Sequence, residues 1–144
     1  MLPISVCIIA KNEENYISEC LRRLSCYDWE IVVVDTGSTD RTVEIARTYT
    51  PNVRHFDWVN DFSAARNYSI SIASNDYILA VDCDEYLQAD EKTFETICNL
   101  PGLISLRQAG MLSRLSPSAE FSASAESTPI VHERIARFFN RKFT

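Results

Sequence analysis

Residues Tyr77–Leu87, YILAVDCDEYL, have two halves of opposite character: an apolar run from Tyr77 to Val81 stops abruptly at Asp82, Asp84 and Glu85. A short aliphatic run without polar alternation reads as a strand buried on both faces. The same construction occurs twice upstream. Ile4–Ala10 (ISVCIIA) runs into Lys11, Asn12 and Glu13, and Glu30–Val34 (EIVVV) runs into Asp35 and the turn TGSTD. Strands of this kind belong to a parallel sheet with helices on both sides. The expected fold is α/β, with a mostly parallel central sheet flanked by helices.

The segments between these strands carry helical spacing. Glu14 to Leu24 places Tyr16 or Ile17, Cys20, Leu21 and Leu24 on one face, with Asn12 as the expected N-cap. Ser38, Thr39 and Asp40 offer caps for a second helix carrying Val43, Ile45, Ala46 and Tyr49, which Pro51 stops. Val53 to Trp58 reads as a strand, and Phe62 to Ala73 (FSAARNYSISIA) as a helix on the recurrence of Ala65, Tyr68 or Ser69, Ile72 and Ala73. A short helix over Asp90 to Cys98 buries Phe94, Ile97 and Cys98. Beyond Gly102, LISLRQAGMLSRL reads as a strand, Ser113 to Pro129 as a mobile Ser/Ala/Pro-rich loop, and Ile130 to Phe143 as a strand-like segment.

A chain of 144 residues makes one domain with a real core. Its net charge of -6 argues against general affinity for nucleic acid, which draws on surplus Lys and Arg, though a local basic site stays open. Five cysteines, Cys7, Cys20, Cys26, Cys83 and Cys98, form no C-x-x-C pair and fit buried free thiols in a reducing compartment. The N-terminus MLPISVCIIAKNEE lacks the basic region and apolar length of a signal peptide or spanning helix. A cytoplasmic location is expected, with peripheral membrane association left open.

In open α/β sheets, ligands bind beyond the carboxyl ends of the strands, where this sequence collects its acidic residues. Asp82 and Asp84 are two apart at a strand end, so the pleat aims both in roughly one direction and they can share an ion. Mg²⁺ or Mn²⁺ suits that donor set, because it is commonly held by one or two carboxylates plus substrate phosphates. The alternative is that Asp82 caps a turn while Asp84 and Glu85 are solvated loop charge. Asp35 has a similar choice: it begins a good turn sequence, or it accepts hydrogen bonds from a base or ribose. Arg66 can pair with phosphate or with a nearby carboxylate. There is no GxGxxG after the first strand, no GxxxxGK[ST], and no GxSxG elbow, which disfavours dehydrogenases, P-loop enzymes and serine hydrolases. His55 and His132 lack the neighbours of a zinc site.

Taken together, ISVCIIAKNEENYISECLRRL, EIVVVDTGSTDRTVEIA, DFSAARNYSISIASNDYILAVDCDEYL and RIARFFNRK resemble the family 2 glycosyltransferases of the Rossmann-like GT-A nucleotide-diphospho-sugar transferase fold. The resemblance implies that Ile9, Ala10, Lys11 and Glu13 touch the nucleoside, that Asp35 binds the base, and that Arg66 lies near base or diphosphate. It also places Asp82 near ribose and metal, and Asp84 on a Mn²⁺ or Mg²⁺ ion bridging the diphosphate. The implied donor is a nucleoside-diphosphate sugar, with a UDP-sugar favoured, and the acceptor a glycan, lipid or protein hydroxyl, as in cell-envelope polysaccharide synthesis. An acceptor hydroxyl would attack in line and invert the anomeric carbon, which requires a general base. Family members supply it from well downstream of the DxD motif, where the acidic residues are Glu120, Glu126 and Glu133, and Glu133 in VHE is the candidate base, although such a pair usually follows the RFFNR-like strand instead of preceding it. The resemblance also implies a domain longer than this chain, so a truncated domain is expected, with residues 1–100 as the donor half and residues 101–144 beginning the acceptor side. The competing readings are a non-catalytic nucleotide-sugar-binding module and a nucleotidyltransferase, the second weakened by the absence of glycine in IIAKNEE.

Overall fold

The computed structural model describes residues 3–87, 92, 112–114 and 138–143. Four parallel strands form the centre: β1 (Ile4–Ala10), β2 (Glu30–Asp35), β3 (Val53–His55) and β4 (Tyr77–Ala80). Their order is β3-β2-β1-β4, and β7 (Phe138–Asn140) closes the β4 edge in antiparallel fashion. A separate antiparallel pair joins β5 (Glu85–Leu87) to β6 (Leu112–Arg114).

The pleat divides each aliphatic run between two cores. Ile4, Val6, Ile8 and Ala10 of β1, with Ile31 and Val33 of β2, pack with Ile17, Cys20, Leu21 and Leu24 of α1 (Ile17–Leu24). Cys7, Val32, Val34 and Ile78 face the other way, towards α3 (Phe62–Ser71) and its following Ala73. Both faces being covered explains why the strands show no polar alternation. Helix α2 (Thr42–Arg47) packs beside α1. At the amino edge, the Glu30 carboxylate accepts from Ser5 Oγ and from the Ser74 backbone N–H (2.8 Å), tying β1, β2 and the turn before β4 together.

Several boundaries differ from the sequence expectation. Helix α1 begins at Ile17 because Asn12 lies in the left-handed region (φ 53°) and both Tyr16 and Ile17 donate to the Glu13 carbonyl. Asn12 therefore does not cap α1. The caps expected for α2 reduce to Asp40, whose Oδ1 accepts from the Thr42 N–H at 3.0 Å, and Tyr49 lies in the turn after the helix. Strand β3 stops at His55 instead of Trp58: Phe56 makes a last bond to the Asp35 carbonyl, and Trp58 then turns to donate to Asn60 Oδ1, with Asn60 at φ 58°. Asp61 caps α3 by accepting from the Ser63 N–H at 2.8 Å, and the helix ends at Ser71, two residues short of expectation. Ser113 and Arg114, where the expected strand over 103–115 overlaps the loop expected from Ser113, belong to β6 and so to the strand. Within the strand-like stretch 130–143, β7 occupies Phe138–Asn140 and is followed by a 3₁₀ turn. Apart from the helical Lys92, the helix expected over 90–98 lies outside the described residues, as does most of the loop over 113–129. No helix among the described residues is long and apolar enough to cross a membrane.

Candidate functional site

The strand order creates a switch point between β1 and β4: the chain moves from β1 outward to β2 and β3, then returns across the sheet to β4 on the other side. Crossover helices diverge there and leave a crevice beyond the carboxyl ends. The loop after β1 and the Asp82–Glu85 turn after β4 flank it.

That turn is closed from both directions. The Glu85 N–H donates to the Asp82 carbonyl (3.0 Å), and the Asp82 N–H donates to Glu85 Oε2 (3.0 Å). Glu85 is only 6% exposed, so its carboxylate is a structural cap and not solvated loop charge. Two buried thiols hold the turn against its neighbours: Cys20 Sγ donates to the Asp82 carbonyl and Cys83 Sγ to the Ile9 carbonyl, each at 3.7 Å. Burial pushes the Cys20 thiol up to about 12 and Cys7 up to about 11, and raises Cys83 as well, so these are weak donors and not nucleophiles. Cys7, Cys20, Cys26 and Cys83 are all free.

Arg66 reaches the site from α3. Its guanidinium donates to the Cys7 carbonyl (3.0 Å) and lies 3.4 Å from Asp82 Oδ1, so β1, α3 and the Asp82 side chain are joined by one planar group. Asp82 and Asp84 remain half-buried, with side-chain exposure of 40% for Asp82. Their hard carboxylate oxygens fit Mg²⁺ or Mn²⁺. Among the described residues no group of three or more His, Cys, Asp or Glu could hold a metal by itself, so oxygens of phosphate or water would complete a cation's shell here.

Glu13 registers the negative potential of this edge. Burial, together with the charges of Asp84, Asp40 and Asp82, raises its pKa. A carboxylate raised in the fold is favoured when protonated and costs stability once pH climbs past its unfolded value, a cost present at neutral pH. Glu13→Gln is expected to raise the melting temperature by about 1–2 °C at pH 7 and to reduce this gain near pH 4, measured by thermal denaturation without divalent cations.

The loops after β1 and β2 are fastened to each other. Asn12 N–H donates to Ser38 Oγ (2.9 Å) and Thr39 N–H to Asn12 Oδ1 (2.8 Å). Glu13 N–H donates to Thr42 Oγ1 (2.8 Å), Glu14 N–H to Asp40 Oδ2 (3.2 Å), and Arg41 N–H to Glu14 Oε2 (3.2 Å). Polar residues of KNEE and TGSTD thus satisfy each other's backbone and fix the two loops relative to one another. Ala10 and Ile9 contribute carbonyls to the same frame, Ala10 accepting from Thr36 N–H (3.0 Å), while Lys11 is exposed.

Asp35, at the end of β2, does begin a turn: its Oδ2 accepts from the N–H groups of Gly37 and Ser38, each at 3.1 Å. Gly37 sits at φ 113°, which favours glycine. His55, weighed in the sequence only as a zinc ligand, stands beside Asp35 with Nδ1 3.7 Å from Oδ2. The signal was present in the pairing of two strand ends, but it required the register of β3. Glu133 lies outside the described residues.

Comparison with known proteins gives this arrangement its context. The family model described as glycosyl transferase family 2 matches residues 5–102. The chain is 38% identical over 87 residues to the SPbeta prophage-derived glycosyltransferase SunS of Bacillus subtilis, covering 59% of this chain and 21% of that protein. It is similar to S. aureus TarS in complex with UDP-GlcNAc, with a TM-score of 0.55 and 29% identity over 67% of this chain and 30% of the other. It also resembles glucosyl-3-phosphoglycerate synthase from Mycobacterium tuberculosis in complex with Mn²⁺ and UDP-glucose, with a TM-score of 0.51 and 27% identity over 58% and 33% of the two chains. The chain spans between 16% and 30% of the length of curated relatives such as SunS. With the family model matched across both strand–carboxylate junctions that build the crevice, the chain belongs to glycosyl transferase family 2.

Proposed function

We propose that the described crevice is the donor site of a metal-dependent, inverting glycosyltransferase of hexosyltransferase type, which moves a sugar from a UDP-sugar to a hydroxyl of a glycan, lipid or protein. The observation that carries this reading is the convergence of Asp35, Glu13, Asp82, Asp84 and Arg66 at the carboxyl edge, around the β1–β4 switch point. Support comes from the similar structures whose complexes contain UDP-GlcNAc, or UDP-glucose with Mn²⁺.

In this reading Asp84, with Asp82, holds Mn²⁺ or Mg²⁺ against the diphosphate. A bound cation neutralises the departing nucleoside diphosphate. Asp35 faces the base, the segment Ile9, Ala10, Lys11 and Glu13 borders the nucleoside, and Arg66 keeps Asp82 at the edge of the crevice. Glu133 is the proposed base that takes the acceptor's proton. Work on cell-envelope polysaccharide in the cytoplasm, beside a membrane, fits this chemistry.

Calorimetric titration with UDP, with and without Mn²⁺, tests the donor site: Mn²⁺-dependent binding is expected, and its absence at millimolar nucleotide would refute the reading. Hydrolysis or transfer of a UDP-sugar by the whole protein, lost in Glu133→Gln, separates turnover from binding alone.

A further inference from the structure

We propose that His55 is a base-reading residue, whose imidazole N–H and the Asp35 carboxylate form a donor–acceptor pair for the imide edge of a uracil base. This rests on the reading of the crevice as a nucleoside-diphosphate site.

Asp35 and His55 are register partners at the carboxyl ends of adjacent parallel strands, β2 and β3. The Asp35 side chain is 8% exposed and that of His55 60% exposed, so the carboxylate forms a floor and the ring stands at the rim. The ring's Nε2 lies 2.9 Å from Asp57 Oδ1. That contact leaves Nδ1 on the Asp35 side. At 3.7 Å from Oδ2, Nδ1 is too distant for a direct hydrogen bond, so its N–H is not consumed there. Asp57, and then Asp35, favour the doubly protonated ring, in which both nitrogens are donors.

Asp35 also keeps acceptor capacity. A carboxylate has about four lone-pair sites. The Gly37 and Ser38 N–H groups occupy Oδ2, whereas Oδ1 receives only a longer contact from Ser38 at 3.3 Å. An acceptor on the floor beside a donor on the rim matches an N–H flanked by a carbonyl, as on uracil. Cytosine presents a bare ring nitrogen beside an amino group and would set a lone pair against the carboxylate and an N–H against the imidazolium. A site built to hydrogen-bond a ligand rejects the analogue with mismatched polar groups more strongly than a hydrophobic pocket rejects a change of size.

Calorimetric titrations of the chain with UDP and CDP at fixed Mn²⁺ test this, because the two bases are equal in size and differ at that edge. The unmodified chain is expected to prefer UDP by at least about tenfold, and His55→Ala to lose about tenfold in UDP affinity with no loss, or a gain, for CDP. His55→Gln, which restores an N–H donor, is expected to recover part of the preference. An equal loss for both nucleotides, an unchanged ratio in His55→Ala, or no UDP preference in the unmodified chain overturns the role of His55 while leaving the donor site standing. Failure of the unmodified chain to bind either nucleotide overturns the donor-site reading as well.

Discussion

Replacing Asp84 with alanine is expected to remove the Mn²⁺-dependent part of UDP binding while the fold survives. Asp84 is half-buried on a turn whose closure depends on Asp82 and Glu85, so the substitution deletes a carboxylate without opening the turn. The described residues offer no third metal-binding side chain to replace it. A ligand present at a hundred times its dissociation constant stabilises the folded state by about 2.7 kcal/mol, so UDP with Mn²⁺ should raise the melting temperature of the unmodified chain by about 5–10 °C. In Asp84→Ala the increment due to Mn²⁺ should vanish. Retention of the full increment would show that the cation, if it binds, is held elsewhere. Asp82→Ala would be less informative, since it also strips Arg66 of its carboxylate partner.

The second large effect is structural and falls on Glu85. Its carboxylate is buried and accepts the Asp82 N–H, and β5, on which it sits, packs against α1. Glu85→Ala removes that acceptor and leaves a backbone donor without its bond inside the protein. Loss of a hydrogen bond to a charged group costs about 1.5–3 kcal/mol, so the melting temperature should fall by about 5–10 °C. Affinity for UDP with Mn²⁺ should fall too, because the turn that aims Asp82 and Asp84 loses its cap. Glu85→Gln keeps an acceptor oxygen and should recover most of the stability. If both variants melt like the unmodified chain, the cap has no energetic weight.

Much of the architecture was legible because it depends on short-range pattern. The aliphatic runs at Ile4–Ala10, Glu30–Val34 and Tyr77–Val81 could satisfy their side chains only by burial on both sides, and β1, β2 and β4 occupy those places. The carboxylates that follow them were legible as an edge for the same reason, since parallel strands bring all their carboxyl ends to one side. Family membership also followed from motif order, and the matched residues 5–102 span that order up to the DxD segment.

What failed was local capping. Asn12, Ser38, Thr39 and Asp40 have the side chains of N-caps, and sequence alone assigned them to the helices that follow. In the fold most of these groups serve the opposite loop, about 26 residues away in sequence, since any backbone N–H within reach is an equally good partner. Glu85 could not be placed for a related reason. Its burial depends on how the turn packs beside α1, and no periodicity in DCDEYL encodes that.

The sequence by itself determined which runs must be buried, hence a parallel α/β sheet with an acidic carboxyl edge, because hydrophobic periodicity is a property of neighbours along the chain. Only the tertiary structure decided which polar groups meet across that edge: Arg66 with Asp82, Asn12 with Thr39, His55 beside Asp35. Those meetings depend on strand order and register, and hydrogen bonds of a few ångströms cannot be read from residues separated by tens of positions until the sheet has brought them together.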